Sequence, residues 1–124
     1  MVTPPVSTGI VVFAHGSRVE SANQAVRDVA ARLARAGPFD HVEAAFLELG
    51  KPDLEGAVAQ LVDHGISRIV VIPYFLTLGT HLERDLPAIV NRISQSYKDL
   101  ELITTPPLDG HPALLQILLD RARA

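Results

Sequence analysis

The 124-residue chain contains no cysteine and no tryptophan, and its aromatic residues are four phenylalanines and two tyrosines. The lack of cysteine excludes disulfide bonds, thiolate nucleophiles and cysteine-ligated zinc or iron–sulfur sites. The few aromatic residues leave no platform on which single-stranded bases could stack, and a net charge of −3 argues against a broad phosphate-binding surface. We therefore expect no nucleic-acid partner, and only histidines and carboxylates as candidate metal ligands.

Long hydrophobic runs are also missing, since no segment approaches the roughly 18 consecutive apolar residues that a membrane span requires. Residues 1–8 contain no basic residue and include Pro4 and Pro5, unlike the start of a secretory signal peptide. We therefore expect a cytoplasmic protein that has no membrane partner.

The composition indicates a single globular domain. Apolar residues make up 48% of the chain and charged residues 20%, which is a proportion typical of folded proteins. The length falls within the range of about 100–150 residues in which domain sizes cluster. No repeat, low-complexity tract or long linker divides the sequence, so we predict one domain over residues 1–124.

Short apolar runs alternate with helical stripes along the chain. The runs predict strands covered on both faces, at residues 9–14, 42–47, 69–72 and 100–103. The stripes predict helices around residues 26–34, 54–62, 86–93 and 113–123. We expect Pro87 in the first turn of the third helix, because proline interrupts a helix interior. This order predicts an α/β fold: a four-stranded parallel sheet with helices on both faces and right-handed crossovers.

Candidate metal ligands follow the first three predicted strands. In open parallel sheets, ligands bind at the carboxyl ends of the strands, where this sequence places His15, Glu48 and His81. Two imidazoles and one carboxylate suit a first-row divalent ion and leave coordination positions open for a reaction. Gly16 and Gly79 lie beside the two histidines and would allow a bulky ligand to approach the backbone.

The remaining histidines and an apolar loop have less specific interpretations. His41 precedes a strand and His64 ends a helix, so we assign both to surface or capping roles. His111 either starts the last helix or lies at the outside of the site. The loop at residues 74–78 is mostly apolar where a polar loop is expected. It forms a buried strand extension, a wall for a flat apolar ligand or a subunit contact.

Several common catalytic motifs are absent. The sequence contains neither GxGxxG nor GxxxxGK[ST], which removes the dinucleotide and P-loop interpretations. Ser17 lies outside any GxSxG elbow, so a serine hydrolase is disfavoured. A phosphoryl-transfer enzyme with His15 as nucleophile stays open as an alternative, although Ala14 stands where an arginine would support it.

Three motifs together give the sequence a resemblance to a known family. They are His15-Gly16-Ser17-Arg18, Phe46-Leu47-Glu48 and Pro73-Tyr74-Phe75-Leu76-x-x-Gly79-x-His81-x-x-x-Asp85-Leu86-Pro87. In this order the chain resembles the small sirohydrochlorin chelatases over residues 10–119. The resemblance implies a chelatase-like three-layer sandwich, a homodimer, and insertion of a divalent metal into sirohydrochlorin for cobalamin or sirohaem synthesis. Cobalt is favoured on family frequency, with iron and nickel as alternatives.

The resemblance also implies roles for individual residues. His15 and His81 match the metal-binding histidines of the family, and Glu48 matches an acidic ligand of some members. The metal is a substrate, and no organic cofactor is expected. Phe75, Leu76 and Gly79 would lie against the tetrapyrrole. Its carboxylates would be bound by cations near the motifs, with Arg18, Lys51 and Arg84 as candidates. A metal carrier without catalytic activity and a structural half-domain remain alternatives.

Overall fold

The computed structural model describes residues 7–124, so the prediction that concerned a signal peptide lies largely outside the described residues. Four strands alternate with four helices. They are β1 (Thr8–Ala14), α1 (Glu20–Ala36), β2 (His41–Phe46), α2 (Leu54–Asp63), β3 (Arg68–Pro73), α3 (Thr80–Ser96), β4 (Glu101–Thr104) and α4 (Pro112–Ala122). Within this part of the chain, no helix is long and apolar enough to cross a bilayer.

The strands form one parallel sheet in the order β2-β1-β3-β4. The predicted α/β class with a four-stranded parallel sheet is therefore confirmed. β1 lies in the middle, and its last residue Ala14 pairs with Phe46 at the end of β2. On its other side, Phe13 pairs with Pro73 at the end of β3. The carboxyl ends of the first three strands consequently lie next to one another.

Helices cover both faces of the sheet, as predicted. Successive strand residues point to opposite faces, so Val11 and Phe13 pack with α2 and α3, whereas Val12 and Ala14 pack with α1. Phe13 is 1% exposed, and burying a side chain of this size contributes about 1.5–3 kcal/mol. The result is a helix–sheet–helix sandwich in which the central strand is buried on both sides.

The third helix differs from the sequence prediction. It begins at Thr80, so Pro87 lies in its interior and the expected first-turn position is wrong. The amide of Glu83 donates to the Gly79 carbonyl at 2.9 Å and closes the first turn. Leu82 and Leu86 are buried on this extended part. Their burial offsets the missing hydrogen bond at the exposed Pro87.

Candidate functional site

The candidate site lies at the carboxyl edge of the sheet, where parallel pairing continues beyond the strands. The Leu47 amide donates to the Ala14 carbonyl at 2.9 Å, and the Glu48 amide donates to the His15 carbonyl at 3.0 Å. These two bonds extend the β1–β2 ladder by two residues. They place the side chains of His15 and Glu48 next to each other, 33 positions apart in sequence.

His15 and Glu48 form a hydrogen-bonded pair. Nε2 of His15 lies 2.9 Å from Oε1 of Glu48, and the two side chains are 59% and 57% exposed. This contact suits the tautomer of His15 that carries its hydrogen on Nε2, because a carboxylate accepts hydrogen bonds, and in that tautomer Nδ1 keeps a lone pair. That nitrogen is free to bind a metal while the carboxylate orients the ring, an arrangement common in metalloproteins.

Gly16 is required for the close approach of the two loops. Its φ of +93° lies in the left-handed region, and a Cβ at this position would stand 1.6 Å from the carbonyl oxygen of Glu48. Glycine was predicted beside His15 to let a bulky ligand approach, but the structure shows that it is needed to let the loop after β2 approach. The glycine admits the backbone of the neighbouring loop.

Gly16→Ala is expected to destabilise the protein by roughly 3 kcal/mol or more, because a left-handed alanine adds to a backbone collision. Gly65→Ala is the matched control. Gly65 has a φ of +83°, but a Cβ there would have no neighbour within 4 Å, so only the conformational cost of about 1–2 kcal/mol applies. Urea denaturation measures both losses. Equal losses in the two variants would contradict the steric explanation.

His81 lies apart from this pair. It is the second residue of α3 and is exposed, and its Nδ1 accepts a long, 3.5 Å hydrogen bond from Arg84. Among residues 7–124, no group of three or more histidine, aspartate or glutamate side chains stands close enough to hold one metal ion. The structure therefore brings together two of the three predicted ligands, and the role of His81 stays a prediction.

The apolar segment that precedes α3 is only partly buried. Phe75 packs on the core, with its ring centroid 6.2 Å from that of Phe13, whereas Tyr74 and Leu76 are 38% and 62% exposed. A Cβ on Gly79 would have no neighbour within 4 Å. The open apolar surface beside the site is thus formed by Tyr74 and Leu76 more than by Phe75.

Two hollows flank this edge of the sheet. An apolar cavity of about 550 Å³ lies between Ile72 and the loop at residues 105–112. This loop is tied to the apolar segment, because the Leu108 amide donates to the Phe75 carbonyl at 2.9 Å. A second cavity of about 350 Å³ is lined by Glu48 and Lys51. A flat ligand with an apolar face and charged substituents would find both kinds of surface here.

The three candidate cations differ in their surroundings. Within residues 7–124, the exposed side chains of Arg18 and Lys51 have no hydrogen bond or ion pair. Arg84 lies 3.6 Å from Asp85 and also contacts His81. A neighbouring carboxylate weakens the attraction of Arg84 for an anionic ligand, so Arg18 and Lys51 are the better placed of the three.

The other histidines do not join the His15 and Glu48 pair, although His111 lines the apolar cavity beside it. His41 begins β2 at the amino edge of the sheet, and its ring centroid is 5.2 Å from that of His64. His64 caps α2, with Nδ1 bonded to the Gln60 carbonyl at 2.7 Å. His111 caps α4 and accepts a hydrogen bond from the Ala113 amide at 3.0 Å. The predicted capping and helix-start roles of His64 and His111 are those that the structure shows.

Asn23 is a polar residue of this region that the sequence analysis missed. It lies on α1 and is only 2% exposed. Its Oδ1 accepts a hydrogen bond from the Ser17 amide, and its Nδ2 donates to the carbonyls of Ser17 and Leu49, each at 2.9 Å. The available signal was its position three residues before Val26 and seven before Ala30, on the buried stripe of the helix.

Arg27 lies one turn further along α1 and contacts the same region. Its Nη1 is 2.6 Å from Glu20 and its Nη2 donates to the Lys51 carbonyl at 3.3 Å. The guanidinium carbon lies 5.3 Å from the centre of the Phe46 ring. The hydrogen bond from Arg27, followed by that from Asn23, holds the pKa of Glu20 below its usual range.

Comparison with known proteins identifies relatives that all belong to one kind of enzyme. A family model described as CbiX matches residues 9–124. A sirohydrochlorin cobaltochelatase of Saccharolobus islandicus is 31% identical over 91% of both chains, and one of Methanopyrus kandleri is 29% identical over 92% of this chain and 94% of its own. The chloroplastic sirohydrochlorin ferrochelatase of Arabidopsis thaliana is 30% identical, and this chain spans 50% of its length.

Solved structures share the fold. A CbiX protein from Marinobacter aquaeolei matches 94% of both chains with a TM-score of 0.83 and 24% identity. The sirohydrochlorin chelatase SirB from Bacillus subtilis, in complex with cobalt, matches 95% of this chain with a TM-score of 0.87 and 24% identity. The chain covers 50% of that protein. These likenesses confirm the chelatase-like three-layer sandwich.

Proposed function

The chain belongs to the CbiX family, and from this membership we propose that it is a metal chelatase that inserts a divalent ion into sirohydrochlorin. Relatives named as sirohydrochlorin cobaltochelatases or ferrochelatases support the reaction and its substrate. We place the reaction at the carboxyl edge of the sheet because His15 and Glu48 are in contact there, at 2.9 Å.

The reaction requires groups that hold a metal loosely and accept protons, because the ion replaces two pyrrole N–H protons. We assign metal binding to the free Nδ1 of His15 and propose that Glu48 takes up a proton or completes the metal site. Neutral imidazole can bind a metal near pH 7, and with Nε2–H bonded to Glu48 and Nδ1 on the metal, His15 would leave the protons to the carboxylate. His81 is proposed as the second imidazole ligand, supplied from the start of α3.

The tetrapyrrole is proposed to lie beside the start of α3. Leu76 would contact the macrocycle and Phe75 would support it from the core. The open surface at Gly79 would leave room for the ring edge. Arg18 and Lys51 would bind the peripheral carboxylates by charge-assisted hydrogen bonds. A local cation pair of this kind would attract an anionic substrate despite the net charge of −3.

Cobalt is the proposed ion. Nitrogen and oxygen ligands accept Co²⁺, Fe²⁺ and Ni²⁺, so the ligand chemistry does not choose among them. The Methanopyrus and Saccharolobus relatives are named cobaltochelatases, which favours cobalt, and the Arabidopsis relative keeps iron as the alternative. We further propose that the reaction takes place in the cytoplasm and requires no organic cofactor.

A direct test is to mix purified protein with sirohydrochlorin and each of the three metals, and to follow the absorption spectrum. We expect many turnovers with Co²⁺ and slower ones with Fe²⁺ or Ni²⁺. A metal carrier without catalytic activity would give no turnover. Hydrolysis of phosphate esters by the chelator-treated protein would instead support the phosphoryl-transfer alternative.

A homodimer is proposed on the basis of α4. This helix buries none of its residues against the described chain, and Leu115, Ile117 and Leu118 are 63%, 50% and 60% exposed. Contiguous apolar surface of this kind marks interaction sites. The structurally similar SirB is about twice as long as the part that this chain matches, so a second copy of this chain is the occupant that we propose for α4.

Leu118→Glu is expected to convert the dimer to a monomer, because a charge buried in an apolar interface is strongly unfavourable. Sedimentation velocity at micromolar concentration measures the change. Gln116→Glu, an exposed position two residues earlier on α4, adds the same charge and serves as the control. A monomeric wild type, or equal behaviour of both variants, would contradict the interface.

A further inference from the structure

The two loops that carry His15 and Glu48 are joined by a buried amide. Asn23 bonds both backbone groups of Ser17, two residues after His15, and the carbonyl of Leu49, one residue after Glu48. These bonds engage the acceptor and both donors of the side chain, and Nδ2 also makes a longer, 3.5 Å contact with Glu20. At 2% exposure, water does not replace them in the folded protein.

The loop after β2 has a constrained backbone at the point where Asn23 contacts it. Leu49 adopts a φ of +57°, a conformation uncommon for residues other than glycine. At Gly50, a Cβ would lie 2.9 Å from the Phe46 ring and 3.2 Å from Nδ2 of Asn23. The loop thus lies directly on the asparagine, with no space for a longer side chain between them.

Arg27 supports the loop after β2 but not the loop after β1. It bonds the Lys51 carbonyl at 3.3 Å and retains a 32% exposed side chain. Asn23 is the α1 residue whose side chain bonds both loops in the part of the chain that the structure describes. The relative position of the loops therefore depends on Asn23 more than on Arg27.

We propose that Asn23 is a positioning residue that sets the approach of Glu48 to His15 and thereby the affinity of the site for its metal ion. It acts through the backbone of the two loops and does not touch the metal or the tetrapyrrole. The claim that Asn23 positions His15 and Glu48 rests on geometry alone. The claim that this affects metal insertion rests on the function proposed above.

Asn23→Asp is the sharpest test, because it keeps the size of the side chain and the acceptor for the Ser17 amide. It removes the donor and directs an oxygen toward the carbonyls of Ser17 and Leu49. We expect the KM for Co²⁺ to rise and kcat/KM to fall by about 10–100-fold, the range seen when groups that orient a metal site are lost. Asn23→Ala, which creates no such repulsion, provides a second variant if the aspartate variant does not fold.

Val26→Ala is the matched control, since Val26 is buried on the same face of α1 but packs on the strands. At a temperature where the variants are folded, it should lose stability while keeping kinetic constants close to wild type. In a Glu48→Ala background, where the contact with His15 is already lost, the Asn23 substitution should cost little further activity. Unchanged metal affinity in both Asn23 variants, or an equal effect of Val26→Ala, would overturn the proposal.

Hydrogen exchange separates this inference from the proposed function. The Glu48 amide, which bonds the His15 carbonyl at 3.0 Å, should exchange at least tenfold faster in the Asn23 variants than in Val26→Ala. This result is expected even if the wild type proves unable to insert any metal. Equal exchange at Glu48 in all the variants would contradict the positioning role.

Discussion

Replacing His15 with alanine is expected to lower kcat/KM for metal insertion by at least about 100-fold, because the variant loses both a ligand of the reacting ion and the ring that is bonded to Glu48. The side chain is 59% exposed, so its truncation should change stability little. Initial rates of sirohydrochlorin metallation measure the activity. Circular dichroism and thermal unfolding verify that the variant is folded.

His64→Ala is the control for this experiment. It removes an exposed imidazole at the opposite edge of the sheet, where the ring bonds only the Gln60 carbonyl in the described chain, and should leave the rate unchanged. Glu48→Gln should reduce activity less than His15→Ala, because the amide keeps an acceptor for Nε2 of His15. Full activity of His15→Ala would remove the imidazole from the site, and a larger loss with Glu48→Gln would reverse the ranking.

The strands and their alternation with helices could be predicted from the sequence because the signal is local. The run from Ile10 to Ala14 is apolar at every position, as a strand buried on both faces requires. The alternation of such runs with helical stripes then leaves few topologies. The sequence predicted that His15 and Glu48 lie at the same edge, and the structure adds that β1 and β2 are neighbours, which pairs the two side chains.

The start of α3 could not be predicted, because the helix-breaking residue Pro87 is typical of a first turn. Pro87 suggested a boundary, yet the buried Leu82 and Leu86 extend the helix back to Thr80. This changes the surroundings of His81, which lies in a helical turn and not in a loop. The distance of His81 from His15 and Glu48 depends on how residues 74–79 connect β3 to α3. The sequence of that segment has no periodic pattern from which this distance could be predicted.

Asn23 was missed for a different reason. Polar residues on an amphipathic helix are usually solvated, and a sequence pattern gives no means of seeing the two loops that enclose this one. Its burial depends on the left-handed Leu49 and on Gly50, both distant from α1 in sequence. Tertiary contacts between loops therefore decide the finer geometry of the site, whereas the strand order decides which loops meet.

His81→Ala is expected to impair insertion as severely as His15→Ala, by at least about 100-fold in kcat/KM. The structure places His81 outside the hydrogen-bonded pair, so its proposed role requires that the metal, the tetrapyrrole or a second subunit brings α3 and the pair to the same ion. Because His81 is exposed, its truncation should change stability little, and thermal unfolding of the variant checks this.

A double-mutant cycle tests whether His15 and His81 bind the same metal ion. If both bind it, His15→Ala and His81→Ala should each weaken Co²⁺ binding, and the double variant should be little worse than either single one, because residues that act as a unit are not additive. Arg84→Gln, which removes the neighbour of the His81 ring, controls for local charge and should retain most of the metal affinity. Additive losses would show that the two histidines act independently and not on one ion. Full activity and unchanged Co²⁺ affinity of His81→Ala would show that the ion is held by the His15 and Glu48 pair without α3.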